Sequence, residues 1–533
     1  MPDRRSCSRS EQGASTVNTT TEQLAGALRQ PRAYPHTVVE VGFQQTQMSL
    51  LFLAGDYVYK VKKPVNLGYL DYSTLDERKR LCEQEVALNR RLCGDTYVGV
   101  VPITKTLDGF CVEGEGTPVE YAVKMRRLPA DRMLDGLLSR HEATAEMLKA
   151  VAQRVAMFHN EAETNEFISS FGAIAAIKRN TDENFEQTLP RIGDTISQEN
   201  HDLIRAYTDA FLEDNGDLFA QRVADQRIRD CHGDLHTAHV CMSEPICIYD
   251  CIEFNDRFRY GDVASEVAFL AMDLDRHGRR DLSQAFADAY VEASGDPGTA
   301  ALMGFYKCYR AFVRGKVEGF KLGDPLIHEK AKQEARRLAR RYFLLAKGYS
   351  TGSGTLVIMV GLAGSGKSTA AAEAAELLSG TLLSSDNTRK KLAGVGPDEQ
   401  VYVPFGVGIY SNEWNERTYA AMMDAAAPVL ASGGCAILDA SFLRRHQRQL
   451  AYELARKNGA WALVIECNAP EEILRERLVR RVEEGAVSDG RPEILDGQLR
   501  VFESIQFTNG VSHAVIRTDQ ERESTMEDLW AIL

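Results

Sequence analysis

Residues 356–369, LVIMVGLAGSGKST, constrain this chain more than any other stretch. An apolar run ends at Gly361, and Gly366, Lys367 and Ser368 complete G-x-x-x-x-G-K-S. An alanine-rich segment of helical character follows from Thr369. Strand, glycine loop and helix in that order make a phosphate cradle. Gly361, Gly364 and Gly366 let backbone N–H groups around Ser365 turn toward an anion, and the helix N-terminus adds its positive end. The pattern predicts an ATP site in which Lys367 reaches the β- and γ-phosphates and Ser368 ligates Mg²⁺.

A length of 533 residues suits two to four domains, and 44% hydrophobic with 26% charged residues is ordinary soluble globular composition. No apolar run approaches the ~20 residues of a membrane span, so no membrane partner is expected. The first twenty residues are polar and lack an apolar core, which excludes a secretory signal, and residues 1–30 read as a disordered tail. The net charge of −13 disfavours a nucleic-acid partner. Eleven scattered cysteines do not form a disulfide framework and point to a reducing cytoplasm.

Thr351-Gly352-Ser353-Gly354 reads as a short flexible break after a long charged helix from about His328 to Lys347. It divides the chain into a domain over 31–350 and a P-loop domain with a parallel sheet over 355–533. The first is expected to be bilobal. Strand-like segments (38–41, 50–55, 57–62, 121–125) come early, and helical periodicity dominates after Arg140.

Three further features support phosphoryl transfer in the C-terminal domain. In LLSSDNTRKKL, Asp386 follows a short strand, where it would take a proton from an acceptor hydroxyl, and Arg389 one turn later would hold a phosphate. The competing reading makes Asp386 the N-cap of a helix starting at Asn387. In GGCAILDASF, Asp439 closes an apolar strand, as a carboxylate holding Mg²⁺ does. In ILRERLVRRVEEG, Arg477 and Arg481 share a helix face and suit an arginine lid, or a solvated helix laced with glutamates. Together these residues resemble the small P-loop kinases of the gluconate kinase, polynucleotide 5′-kinase and zeta-toxin type. That resemblance implies Lys367 and Ser368 on ATP and Mg²⁺, Asp386 as base, Arg389 on the acceptor side and the arginines of 475–481 as lid.

A second constellation lies at 228–262, IRDCHGDLHTAHVCMSEPICIYDCIEFNDRFRYGD. A kinase site needs one carboxylate to orient the acceptor and one to hold Mg²⁺, and Asp234 and Asp250 fit those roles. The stretch resembles the aminoglycoside phosphotransferase-like kinases, which have a protein-kinase-like bilobal fold. The resemblance implies Lys60 on the nucleotide phosphates, Glu85 as its partner, and Met125 and Arg126 beside adenine. Lys62, on the same strand face as Lys60, is the alternative lysine. His239 stands where the family has a metal-binding asparagine, and no G-x-G-x-x-G loop is present, Leu53-Ala54-Gly55 being a plain turn. Glu253, Asp256 and Asp262 would line an acidic substrate pocket, or cap helices and hold Arg257 and Arg259. Cys231, His232, His236, His239, Cys241, Cys247 and Cys251 are dense enough to raise a zinc reading.

The fused pair resembles a bifunctional aminoglycoside phosphotransferase-like/ATP-binding protein family. The expected function is ATP- and Mg²⁺-dependent phosphorylation of hydroxyl groups on small metabolites, sugar or aminocyclitol-like. The alternatives are a nucleotide-sensing ATPase with a pseudokinase domain and a nucleic-acid 5′-end kinase, the latter supported only by basic residues between Phe442 and Arg448.

Overall fold

The structure, a computed structural model, describes residues 21–533 except 107–108, 326, 397–398, 400–405, 484–490, 507 and 509. By contacts the chain forms two compact units: Met1–Ile177 with Gly216–Asp273 and Asp281–Met303, and Lys178–Asn215 with Leu274–Arg280 and Gly304–Leu533.

The first unit carries a six-stranded antiparallel sheet of β1 (Val41–Gln45), β2 (Ser49–Ala54), β3 (Tyr57–Lys62), β4 (Tyr97–Thr106), β5 (Gly109–Val112) and β6 (Pro118–Arg126), in the order β1-β2-β3-β6-β4-β5. A two-residue turn joins β2 to β3, and Gly55 supplies its left-handed backbone (φ 59°). Alternation along β3 sends Tyr59 and Val61 into the core with Phe52, Ala54 and Ala122, and sets Lys60 and Lys62 on the other face. Over that face lies the helix Leu75–Cys93, whose N-cap Thr74 accepts a hydrogen bond from the Glu77 backbone N–H. The remainder is largely helical. It holds two short antiparallel pairs, β7 (Ile228–Asp230) with β10 (Tyr260–Asp262), and β8 (Val240–Cys241) with β9 (Cys247–Ile248). This is the kinase-like α+β arrangement expected.

The second unit contains a five-stranded, all-parallel sheet of β11 (Thr355–Val360), β12 (Thr381–Ser384), β13 (Cys435–Asp439), β14 (Trp461–Asn468) and β15 (Val511–Arg517), ordered β12-β13-β11-β14-β15. Helices cover both faces, so β11 and β13 are buried along nearly their whole length and read as continuous apolar runs.

Three expectations change. Residues 21–28, read as tail, are helical, and Leu24 and Leu28 are buried against the β1–β6 sheet; residues 1–20 lie outside the described residues. The helix before the break reaches further than expected, Glu329–Thr351, and takes in the first residue of the Thr351–Gly354 stretch. Gly352 ends the preceding helix in the left-handed conformation, and Gly354 accepts from the Trp461 N–H, where a Cβ would stand 2.7 Å from the Leu430 carbonyl oxygen. Cys93 and Cys247, 154 residues apart, are joined in a disulfide. Among the described residues no helix is long and apolar enough to cross a membrane.

Candidate active sites

In the first unit, β3 and the helix Leu75–Cys93 bring Lys60 Nζ to 2.9 Å from Glu85 Oε1 and 2.5 Å from Asp250 Oδ1. Burial alone opposes the Lys60 charge, but Asp250 and then Glu85 outweigh it and hold its pKa well above the usual lysine value. Lys62 also reaches Glu85, at 2.6 Å, and bonds Glu253; its side chain is 1% exposed. Both lysines therefore meet Glu85, and the more accessible Lys60 is the one facing Asp250. Glu253 also accepts a 2.5 Å hydrogen bond from the Tyr72 hydroxyl, so it belongs to a buried cluster and not to a substrate pocket. Asp256 pairs with Arg259, and Asp262 with Arg222.

Asp234 follows β7 on a tight loop. Gly233 (φ +87°) is required there, since a Cβ would lie 2.9 Å from the Phe258 carbonyl oxygen. The Asp234 Oδ2 stands 3.5 Å from His236 Nε2 and 3.5 Å from His239 Nδ1. His239 Nε2 lies 3.6 Å from Asp250 Oδ2. Asp234, His239, Asp250, Lys60 and Glu85 thus form one continuous chain of side chains. Burial, then the adjacent His236, pushes His239 down to about 4. Burial raises Asp250, but Lys60 and His239 overcome it and hold that carboxyl well below the usual range. Met125 lies at the end of β6, paired with Val58 and Tyr97.

The loop is fixed by residues that motif reading did not single out. Glu266, 1% exposed, accepts from the backbone N–H of His232 (2.9 Å) and of Gly233 (2.6 Å) and meets His159 Nε2 at 2.8 Å. Asp273 accepts from the Thr237 N–H (3.0 Å) and hydroxyl (2.5 Å). Glu266 and Asp273 are seven residues apart on the helix Val263–Arg276, one face over two turns. Acidic residues at that spacing inside the apolar run VASEVAFLAMDLD were the available signal. Two residues of the zinc reading are otherwise engaged, Cys247 in the disulfide and His232 Nε2 at the Tyr249 carbonyl oxygen, while Asp234, His236 and His239 bring their ligand atoms within 4.8 Å of one another.

In the second unit, β11 delivers the glycine loop to the N-terminus of the helix Lys367–Leu377, with Ser368 and Thr369 in its first turn. Gly364 (φ +83°) and Gly366 (φ +75°) are left-handed, and a Cβ on Gly361 would stand 2.5 Å from Ser365 Oγ. Gln498 Oε1 accepts from the Ala363 N–H at 2.7 Å and pins the loop. Burial lowers the Lys367 pKa, Asp439 opposes that shift and Arg481 adds to it. Asp439 ends β13, in register with Met359 of β11 and Ser384 of β12. Its Oδ1 is buried with no hydrogen-bond partner among the described residues, the environment a cation or its water shell satisfies.

Asp386 is not the N-cap: Ser384 caps the helix Ser385–Ala393, and Asp386 lies in its first turn. Its Oδ1 accepts from the Tyr410 hydroxyl at 3.2 Å, and Lys390 Nζ is 3.5 Å from Oδ2. Arg389 is buried, stacks 4.6 Å over the Tyr410 ring and donates to Asn415 Oδ1 at 3.0 Å. Arg477 donates to the carbonyls of Gly364 (3.2 Å) and Thr518, so its guanidinium clamps the glycine loop. Arg475 is spent on Glu471 and Asp496 at the surface. Arg448, the last residue of the basic stretch from Phe442, is buried and donates to the carbonyls of Phe442, Glu503 and Ser504, which removes it from any nucleic-acid groove.

Fold and sites define a two-domain protein of the kinase class, with a phosphotransferase domain followed by a P-loop NTPase domain. Residues 55–305 match the model of the phosphotransferase enzyme family, and residues 356–505 match that of an AAA domain. The uncharacterised protein Rv2004c of Mycobacterium tuberculosis is 31% identical over 465 residues, 86% of this chain and 90% of that protein; Mb2027c of Mycobacterium bovis matches to the same extent. The chain belongs to the family of these mycobacterial proteins, a phosphotransferase-type domain fused to a P-loop domain, and is an ATP-dependent kinase by class. Among solved structures, a gluconokinase from Sinorhizobium meliloti is 22% identical, covering 34% of this chain and 90% of its own (TM-score 0.24). Aminoglycoside 2′-phosphotransferase-IIIa is 14% identical, covering 63% of this chain and 99% of its own (TM-score 0.36).

Proposed function

We propose that the chain is a bifunctional phosphotransferase that moves the ATP γ-phosphoryl group to hydroxyls of small metabolites, sugar or aminocyclitol-like, from two sites in domains 31–350 and 355–533. The observation that carries this reading is the chain Asp234–His239–Asp250–Lys60, in which two carboxylates lie 3.5 and 3.6 Å from a single imidazole.

In the N-terminal site, Asp234 takes the proton of the acceptor hydroxyl, with His236 and His239 fixing the carboxylate. Lys60 leaves Asp250 for the nucleotide phosphates, and Glu85 keeps it on the strand face. Asp250 and His239 hold the cation. In the C-terminal site, the loop from Gly361 to Thr369 cradles the phosphates and Lys367 neutralises them. Ser368 and Asp439 form the cation side, and Asp386 is the acceptor base. Arg389, one turn after Asp386 on the same helix, serves an acceptor phosphate, Arg477 holds the loop, and Arg481 covers the transferring group. Bound Mg²⁺ would supply charge neutralisation between the phosphates at either site.

The test is transfer from γ-labelled ATP into a metabolite extract by the full chain and by Asp234→Asn and Asp386→Asn. Each variant is expected to lose a different labelled product. Identical product patterns from all three proteins would reject the assignment.

A further inference from the structure

The acceptor side of the C-terminal site already holds a hydroxyl. The Tyr410 hydroxyl lies 3.2 Å from Asp386 Oδ1. An ionised carboxylate only accepts, so the phenol donates. A general base makes the same bond, of about 2.6–3.2 Å, to the hydroxyl it is to deprotonate. The other carboxylate oxygen, Oδ2, is 3.5 Å from Lys390 Nζ, whose side chain is 1% exposed. Lys390 and Asp386 share the helix Ser385–Ala393, so that contact is built into one element. Tyr410 comes from a separate turn, Gly408–Tyr410, and its contact is the one that can be exchanged.

The residues that frame the pocket also hold Tyr410. The Arg389 guanidinium lies 4.6 Å over its ring, and its carbonyl accepts from Asn415 Nδ2 at 3.2 Å. Asn415 Oδ1 accepts in turn from Arg389 Nη2 at 3.0 Å. Asn415 stands near the start of the helix Asn412–Ala431, which Ser411 caps, so this frame rests on a fixed helix end. The Arg389 Nε–H is buried with no hydrogen-bond partner among the described residues, a donor that an oxygen of a bound acceptor would satisfy. Burial lowers the Lys367 pKa, and Asp386 is among the carboxylates that counter it, so the base lies within the field of the glycine-loop lysine.

We propose that Tyr410 is a positioning and specificity residue of the C-terminal site: without acceptor its hydroxyl occupies Asp386 and keeps water from that carboxylate. An acceptor displaces it by placing one hydroxyl on Oδ1 and a second oxygen on Arg389, which water cannot do. This rests on the reading of Asp386 as the acceptor base. Once the phenol hydroxyl is removed, water takes its place. The water proton passes to Asp386, its oxygen bonds the γ-phosphorus, and the bond from that phosphorus to the bridging oxygen breaks, releasing ADP and phosphate.

The test is ADP release from ATP and Mg²⁺ with no acceptor present, by the full chain carrying Asp234→Asn to remove the base proposed for the other site. Tyr410→Phe keeps the ring against Arg389 and removes only the hydroxyl. It is expected to hydrolyse ATP about ten-fold faster than this parent, and adding Asp386→Asn is expected to return the rate to the parent's. A merely structural role would leave hydrolysis equal or slower. A rate at or below the parent's in Tyr410→Phe, or a gain that survives Asp386→Asn, overturns the inference. Phosphate found on Tyr410 by mass spectrometry of wild type incubated with ATP also overturns it, because the phenol would then be an acceptor and not a place-holder; that readout needs no variant to fold. The two readings separate. Labelled product from a metabolite extract, made by the parent and lost on adding Lys367→Ala, with no gain in hydrolysis from Tyr410→Phe, overturns this inference and leaves the transfer reading standing. A gain that depends on Asp386, with no labelled product, supports the place-holder and rejects transfer to a metabolite at this site.

Discussion

Lys60 and Asp250, 190 residues apart in sequence, share a hydrogen bond of 2.5 Å across the N-terminal site. The lysine is the one proposed to meet nucleotide phosphates, and here it is held by the carboxylate proposed for the cation side. Nucleotide and cation together must separate the pair, so their binding is expected to be coupled.

Substitution of the two β3 lysines should have opposite signatures. Glu85 keeps Lys62 when Lys60 is lost, so Lys60→Met is expected to cost less stability than Lys62→Met while abolishing ATP-dependent transfer at this site. Lys62→Met strips Glu253 of its lysine and leaves that carboxylate buried, at a cost of about 3–5 kcal/mol. Denaturant melts and labelled-ATP assays, both in a Lys367→Ala background, distinguish them; equal stability losses would refute the assignment.

At the other site, Gly364→Ala forces a side chain into the left-handed region with its Cβ 2.9 Å from the Leu474 carbonyl oxygen. Strain of about 1–3 kcal/mol is expected, together with loss of ATP-dependent thermal protection. A variant that keeps wild-type protection would show that the loop does not hold phosphates as proposed.

Acid should release the Asp234 loop. Burial raises Glu266, but its bond to His159 outweighs that and brings the carboxyl from an ordinary 4.5 to about 2. A lowered carboxyl pKa contributes stability above its unfolded value, and that contribution disappears as pH falls from about 4.5 through about 2. The contribution is on the order of 3 kcal/mol. Stability measured against pH should decline less steeply across this window in Glu266→Gln than in wild type; parallel curves would exclude Glu266 as the cause.

Arg448→Ala separates a structural arginine from a nucleic-acid contact. Its three carbonyl partners predict a stability loss of about 3 kcal/mol. Neither wild type nor variant should bind single-stranded DNA with the steep salt dependence of phosphate contacts. Salt-sensitive binding in wild type, abolished in the variant at unchanged stability, would reverse this reading.

Short-range features were readable without the fold. The glycine loop, HGD, and the aspartates closing apolar strands are set by backbone geometry over a few residues, where type and spacing nearly determine conformation. Roles that depend on distant partners were not. The two lysines of β3 look alike in YVYKVK, and only packing against Glu85, Asp250 and Glu253 separates the accessible one from the buried one. The same holds for Glu266 and Asp273 under the Asp234 loop and for the Cys93–Cys247 bridge.

By itself the sequence determined a phosphate cradle at 361–369, a second acidic constellation around Asp234 and Asp250, and the order in which their supporting strands and helices follow one another. Tertiary structure alone decided that Arg448 is structural, that Arg477 clamps the glycine loop, and that His239 faces Asp250 with its far nitrogen tied to a carbonyl. The physical reason is that a motif encodes local backbone conformation, whereas a side chain's partner is chosen by burial and by polar satisfaction among residues the chain brings together from afar.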